Sequence, residues 1–254
     1  ANSAKILIDW YIGIPIMVKN ELLGIVNIAR KHSSKKQAVT QDDLNTLSTI
    51  TTLSGTAIHN AMMYQETLHR QRLDQELKVA NAIQNKLLPQ KLPDFDKIHF
   101  GALSIPAREI GGDYYDFFEL KGKKTAIVIA DIVGKGVPAG LFMAMLKSIL
   151  HTNILSIESP KKAMEKINRI LYKDPVVNKF IPLFYAILDP DKAILKYCNA
   201  GHEPALLFSQ DTFLALDTGG LPLGALEKSE YEEKEVHLSA NDIIVFYTDG
   251  IVDA

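Results

Sequence analysis

Cysteine is nearly missing from the chain: among 254 residues only Cys198 carries a thiol, so no disulfide can form within it. Its neighbours Leu195, Tyr197 and Ala200 suggest a thiol buried in a strand, and a reducing, cytoplasmic setting suits such a composition. A charge excess is missing too. The formal net charge is −2, which supplies no basic field for nucleic acid. No apolar run approaches the roughly 20 residues that span a bilayer. No signal peptide is visible, and the chain opens Ala-Asn-Ser without Met, which leaves segments upstream of it open. Between Asp42 and Leu88 there is no proline, and Gly55 is the only glycine.

That last absence defines the first large element. Thr40 offers an N-cap, with Asp42 and Asp43 in the first turn where negative charge suits the helix dipole. Apolar or small residues follow at Leu47, Ile50, Ser54, Ala57, Ala61, Tyr64 and Leu68, alternating steps of three and four, the pattern of a coiled-coil seam. The seam restarts at Leu73, Leu77, Ala80, Gln84 and Leu87 after a step of five and a polar stretch from His69 to Arg72. This reads as one long helix, or as two with a phase break. Residues 43–60 are expected to pack on their own domain, and 61–89 to form a linker helix that pairs with a second chain. Before the helix, 6–30 read as a hairpin with a polar tip at Lys19-Asn20-Glu21, and 31–38 as an exposed loop.

Pro89 stops the helix, and a second domain is expected from residue 90. Hydrophobic content is 47% and charged content 23%, as in globular proteins. Residues 91–254 hold 23 acidic and 18 basic side chains, a mild acidity that suits a metal-binding domain. Strands are expected at 98–105, 116–120, 125–131, 183–188, 193–199, 205–208, 236–238 and 243–248. Helices are expected at 141–150, with Leu141, Met145, Leu146 and Ile149 on the buried face, and at 160–172. Adjacent strands joined by tight turns, with two helices between them, predict an α+β layered domain with a largely antiparallel sheet.

Three aspartates stand at the edges of apolar runs beside glycine: Asp113 in Gly111-Gly112-Asp113-Tyr114-Tyr115-Asp116, Asp131 in Ile129-Ala130-Asp131-Ile132-Val133-Gly134-Lys135-Gly136, and Asp249 in Tyr247-Thr248-Asp249-Gly250. A strand end holds a carboxylate rigidly, and glycine lets the backbone turn at once. A single Asp-Gly pair is usually a turn. Three such carboxylates could converge on hard divalent cations such as Mg2+ or Mn2+.

These segments, together with Val137-Pro138-Ala139 and Asn199-Ala200-Gly201-His202-Glu203-Pro204, resemble in order and spacing the SpoIIE-type branch of the PPM metal-dependent protein serine/threonine phosphatases, the RsbU-like stress and sporulation regulators. Residues 82–89 are similar to the helix leading into such domains, so the resemblance covers about 75–254. More weakly, 6–65 resemble the C-terminal half of a GAF sensor domain, whose first half would lie upstream. The division implied is a partial GAF-like segment at 1–60, a linker helix at 61–89 and a phosphatase domain at 90–254. The family carries a further metal-binding aspartate downstream of the Asp-Gly motif; the chain stops at Ala254, so the domain is expected to be truncated.

The resemblance implies an αββα sandwich, two antiparallel sheets flanked by helices, with two Mn2+ or Mg2+ ions between the sheets. It implies hydrolysis of a phosphoserine or phosphothreonine, on a STAS-domain anti-anti-sigma protein, by attack of a hydroxide shared by the two ions. Asp131 should bridge the ions, with the Ile132 carbonyl completing the second site. Asp249 should bind the first ion, and Asp113 should be a direct or water-mediated ligand. Asp116 is either a ligand or part of a structural turn. Gly134 and Gly136 should shape the loop behind Asp131, with Lys135 exposed and the following helix N-terminus helping to hold phosphate. His202 is either a general acid or the cap of a backbone turn. His59, His69 and His151 stand on helices without companions and are assigned no role. Two rivals remain: a non-catalytic binding module that signals through the helix, and a diguanylate cyclase. The latter's Gly-Gly-Asp-Glu-Phe signature shares Gly111-Gly112-Asp113 but not Tyr114.

Overall fold

The structure of the protein, a computed structural model, describes residues 8–32, 38–106, 109–132, 134, 136–155, 157–174, 180–210, 212–217 and 219–251. The expectations for 6–7, for most of the 31–38 loop and for Lys135 lie outside them. The chain divides into two compact units, 1–74 and 75–254.

In the first unit, β1 (Ile8–Val18) and β2 (Glu21–Lys31) form an antiparallel hairpin. Lys19 and Asn20 both adopt positive φ, 46° and 69°, the backbone of a two-residue turn whose twist matches its strands. Helix α1 (Gln41–Leu87) opens with a reciprocal cap: the Asp43 N–H donates to Thr40 Oγ1 at 3.2 Å, and the Thr40 N–H donates to Asp43 Oδ2 at 2.9 Å. The helix lies close on the hairpin at Gly55, where a Cβ would stand 3.0 Å from the side chains of Ile16 and Val18. That approach explains the single glycine. No break follows the polar stretch at 69–72, and α1 is one 47-residue helix.

The second unit is built on a sheet ordered β10-β6-β5-β4-β3. Its strands are β3 (Asp113–Glu119), β4 (Thr125–Asp131), β5 (Leu183–Asp189), β6 (Ile194–Ala200) and β10 (Lys234–His237), all antiparallel to their neighbours. The short β9 (Gly219–Gly220) adds a parallel pairing to β6. A second antiparallel sheet, ordered β11-β7-β8, comprises β7 (Ala205–Ser209), β8 (Thr212–Leu216) and β11 (Ile243–Val245).

Strand alternation creates two cores. Tyr114, Val128, Tyr185 and Cys198 face α2 (Val137–Asn153) and α3 (Pro160–Lys173). Ile127, Phe184 and Tyr197 face the second sheet, meeting Ala205, Leu207 and Leu216. The domain is thus α+β with two packed antiparallel sheets, and among the described residues helices flank the larger sheet. Cys198 lies in the first core, where burial, with a smaller contribution from Glu233, pushes its thiol pKa up to about 12.

Three expectations need correction. Residues 98–105 form no strand: beyond an isolated bridge between Phe95 and Ile98 the chain is irregular. Ile98 and Phe100 pack on the second core, but the segment finds no ladder partner among the described residues, and Leu103 and Ile105 are exposed. In α2 the buried row is Ala139, Met143, Leu146 and Leu150, while Leu141 is exposed. The run Leu-Phe-Met-Ala-Met-Leu is apolar nearly all round, so periodicity alone does not select the frame. Finally, β11 ends at Val245, short of residue 248.

Candidate metal centre

The β3–β4 register places Asp113 directly opposite Asp131, at the end of the hairpin away from the Lys121–Lys124 turn. Directly opposed side chains in an antiparallel pair sit about 5 Å apart at Cβ. Both carboxylates alternate onto the face that meets the second sheet. There β11 and the chain after it bring up Thr248, whose hydroxyl donates to Asp113 Oδ2 at 3.0 Å, and Asp249, which opens a short 3-10 turn.

The electrostatics record the convergence. Burial raises the Asp113 pKa above the usual carboxylate range, the negative charge of Asp249 adds to the rise, and the Thr248 hydrogen bond opposes it. Burial likewise raises Asp131, with Asp249 and then Asp113 adding to it. Two half-buried carboxylates, with the charge of the exposed Asp249 disfavouring both, constitute a demand for positive charge.

Main-chain oxygens share the concavity. The Ile132 N–H donates to the Gly112 carbonyl at 3.1 Å. A Cβ at Gly112 would stand 2.6 Å from the Ile132 carbonyl oxygen, 3.3 Å from Asp131 Oδ1 and 3.6 Å from the Gly134 carbonyl oxygen. Only glycine leaves that cradle empty, and three oxygens line it. Gly134 and Gly136 have φ of 140° and 77°, conformations that suit glycine in the loop leading into α2. Among the described residues no three Asp, Glu, His or Cys side chains form a ready ligand cage by themselves. The donor set is mixed, carboxylate plus carbonyl, and every member is a hard oxygen. This set fits Mg2+ or Mn2+.

Asp116 is placed elsewhere. It alternates onto the helix side of β3, almost fully buried. Its carboxylate accepts from Tyr114 Oη at 2.7 Å, from the Phe117 N–H at 2.9 Å and from Lys147 Nζ at 2.6 Å. Lys147 also donates to the Leu87 carbonyl at 2.8 Å. His202 lies in the loop after β6, near enough that Asp113 and Asp249 act on its pKa, though burial is the larger influence and lowers it.

Sequence reasoning missed two residues that build the site. Gln84 is buried, and its side-chain amide both donates to the Gly111 carbonyl at 2.7 Å and accepts from the Gly111 N–H at 3.1 Å. It therefore clamps the glycine turn ahead of Asp113 onto α1. Its signal was a polar residue at a seam position. Thr248 was visible only as the residue before Asp249.

The two-sheet sandwich is the fold of a PP2C phosphatase domain. The protein superposes on the SiaA-PP2C domain of Pseudomonas aeruginosa with a TM-score of 0.64 at 20% identity, over 73% of this chain and 75% of that one. It also superposes on the RsbU and RsbW domains of a Mycobacterium tuberculosis protein with a TM-score of 0.51 at 31% identity, over 58% of this chain and 41% of that one. The chain belongs to the Stage II sporulation protein E (SpoIIE) family, which matches residues 121–254. Among curated relatives, the phosphoserine phosphatase RsbU of Bacillus subtilis is 36% identical over 198 residues, 76% of this chain and 59% of the relative. The phosphoserine phosphatase RsbP of the same organism is 26% identical over 183 residues, 70% of this chain and 45% of the relative. The chain thus spans about half the length of these relatives.

Proposed function

We propose that the protein is a metal-dependent phosphatase of phosphoserine or phosphothreonine in a protein substrate. The observation that carries this reading is the Asp131 carboxylate set beside the Ile132 and Gly134 carbonyl oxygens at Gly112, with Asp113 opposite it and the charge of Asp249 acting on both, and the likeness to two phosphoserine phosphatases supports it. Asp131, the Ile132 carbonyl, Asp249 and Asp113 would hold two Mn2+ or Mg2+ ions, with Asp131 shared between them. Bound there, such ions would supply an acidified water as nucleophile and neutralise charge on the phosphoryl oxygens. Asp113 is held in place by Thr248, and Gly112 keeps the cradle free of side-chain atoms; the positive end of the α2 dipole is proposed to favour a phosphate. Asp116 is proposed as a structural ion-pair partner of Lys147 rather than a ligand.

Phosphoserine-peptide hydrolysis in Mn2+, with and without exhaustive EDTA treatment, tests this reading. Activity is expected only with the ion restored, and turnover that survives metal removal overturns it.

The substrate proposed is a phosphorylated STAS-domain regulator, in keeping with the likeness to RsbU. The proposed organisation is a GAF-like sensor segment at 1–60, a linker helix at 61–89 and the phosphatase domain at 90–254, working in the cytoplasm under control of the upstream sensor. No helix among the described residues is long and apolar enough to cross a membrane. We propose further that α1 pairs with its copy in a second chain, since Met62, Leu68 and Leu73 are exposed along it. Substituting Leu73 and Leu77 with Ala is expected to shift sedimentation from dimer towards monomer; a wild-type chain monomeric at tens of micromolar contradicts the pairing.

A further inference from the structure

His202 has a bare, buried nitrogen that nothing in the protein satisfies, and the way the loop holds the ring decides which nitrogen that is. Asn199, at the end of β6, grips the backbone of His202 at both polar groups. Its Oδ1 accepts from the His202 N–H at 2.7 Å, and its Nδ2 donates to the His202 carbonyl at 2.8 Å. Between them Gly201 turns the chain at φ 69°, pressed against Pro222. The ring is held in turn: His202 Nδ1 lies 3.0 Å from the Glu203 carbonyl oxygen. A carbonyl only accepts, so Nδ1 carries the hydrogen.

Burial keeps the ring's pKa below its ordinary value, so the imidazole is neutral and Nε2 presents a lone pair. The residue is only 7% exposed, and Nε2 has no hydrogen-bond partner. A buried acceptor left unpaired is unfavourable, and such exceptions in a native fold call for a donor. Asp113 and Asp249 are the charged groups beyond the loop that act on the ring. As carboxylates both only accept, so neither satisfies Nε2. Thr248 Oγ1 has already given its hydrogen to Asp113. A water beside the ring would supply the missing donor, giving one O–H to Nε2 and the other to a carboxylate.

We propose that His202 is a positioning residue whose Nε2 accepts a hydrogen bond from a water held at the Asp113–Asp249 edge of the cluster, orienting that water for attack on the phosphoryl group. This rests on the phosphatase reading above. It assigns the ring an accepting role in place of the general-acid role, since the one nitrogen free to act carries no proton to give.

Two measurements test it. Long-range 1H–15N NMR of the whole chain with Mg2+ should show the Nδ1–H tautomer with Nε2 at the shift of a hydrogen-bonded acceptor. An Nε2–H tautomer, or an Nε2 shift typical of an unbonded lone pair, overturns the assignment whether or not the protein is a phosphatase. Kinetics on a phosphoserine peptide then compare His202→Gln, whose amide oxygen reaches towards the Nε2 position, with His202→Asn, which reaches only the Nδ1 position. Gln is expected to keep kcat within about tenfold of wild type, and Asn to lose about a hundredfold with KM unchanged. Asn equal to or better than Gln, with both folded, means that the ring serves only its loop. A wild-type chain without phosphatase activity but with a bonded Nε2 refutes the phosphatase reading and leaves the acceptor assignment standing.

Discussion

Asp131→Asn is expected to lower turnover of a phosphoserine peptide by about three orders of magnitude or more, and at the same time to raise the thermal stability of the metal-free protein. The first effect follows from the proposed sharing of this carboxylate between two ions: an amide in its place weakens both sites at once. The second follows from the field of the cluster. Burial, Asp249 and Asp113 all disfavour the charged form of Asp131. The structure shows its backbone N–H bonded to the Pro182 carbonyl at 3.2 Å, a contact that Asn retains. Removing the charge therefore relieves repulsion without opening a cavity.

The pH dependence has a definite sign. Asp113 and Asp131 both have folded-state pKa values raised above their unfolded values of about 4. The folded, metal-free protein thus holds more protons than the unfolded chain. The stability this confers is complete below the unfolded pKa and is lost as pH rises through the raised values. Melting in EDTA should fall over that window for the wild type and fall less for Asp131→Asn, and Mn2+ should restore only the wild type. A variant less stable than wild type in EDTA, or one retaining more than about a tenth of the wild-type rate, contradicts the shared-ligand role.

Much of this cluster was legible because its parts are local. Gly-Gly-Asp before one strand and Ala-Asp-Ile-Val-Gly after another mark the two ends of a hairpin, and antiparallel pairing then sets Asp113 against Asp131. Strands 125–131 and 183–188 and the helix at Pro160 were readable for the same reason, each carrying its own turn or cap. The failures were non-local. Whether 98–105 becomes a strand depends on a free ladder partner, which no window of sequence contains. The buried row of α2 depends on which of several apolar faces meets the sheet. The smaller sheet was only half visible, because the turn between β7 and β8, Ser209 to Thr212, contains no glycine or proline. Gln84 was placed in the helix seam, but its partner Gly111 is 27 residues away, and a bidentate grip on a backbone turn leaves no periodic trace. Asp116 illustrates the converse. The sequence left it open between a ligand and a structural turn, a choice that depends on strand alternation, which sends it to the opposite face and into the ion pair with Lys147.

Gly219→Ala is expected to cost the fold about 4 kcal/mol or more, although glycine to alanine is among the smallest of changes. The reason is the pairing of β9 with β6, in which Gly219 lies against Asn199 and Gly220 against Ala200. A Cβ at Gly219 would fall 1.4 Å from the Asn199 carbonyl oxygen and 2.2 Å from its carbonyl carbon, both backbone atoms of β6. Neither can swing aside as a long side chain would, so β9 must leave β6. Gly220 is no looser, since its own Cβ would stand 2.5 Å from the Glu230 carbonyl oxygen. Asn199 is also the residue whose side chain holds the His202 backbone. Any variant that does fold should therefore lose the set of that loop and, with it, activity. Gly122→Ala is the matched control. Gly122 has positive φ, 74°, and nothing lies within 4 Å of its Cβ position, so only the left-handed backbone strain of about 1–2 kcal/mol is expected there. Urea unfolding of the two variants should separate them clearly, with Gly219→Ala far below Gly122→Ala in midpoint. Equal midpoints would mean that β9 does not press on Asn199 and that the loop carrying His202 is held by its own hydrogen bonds alone.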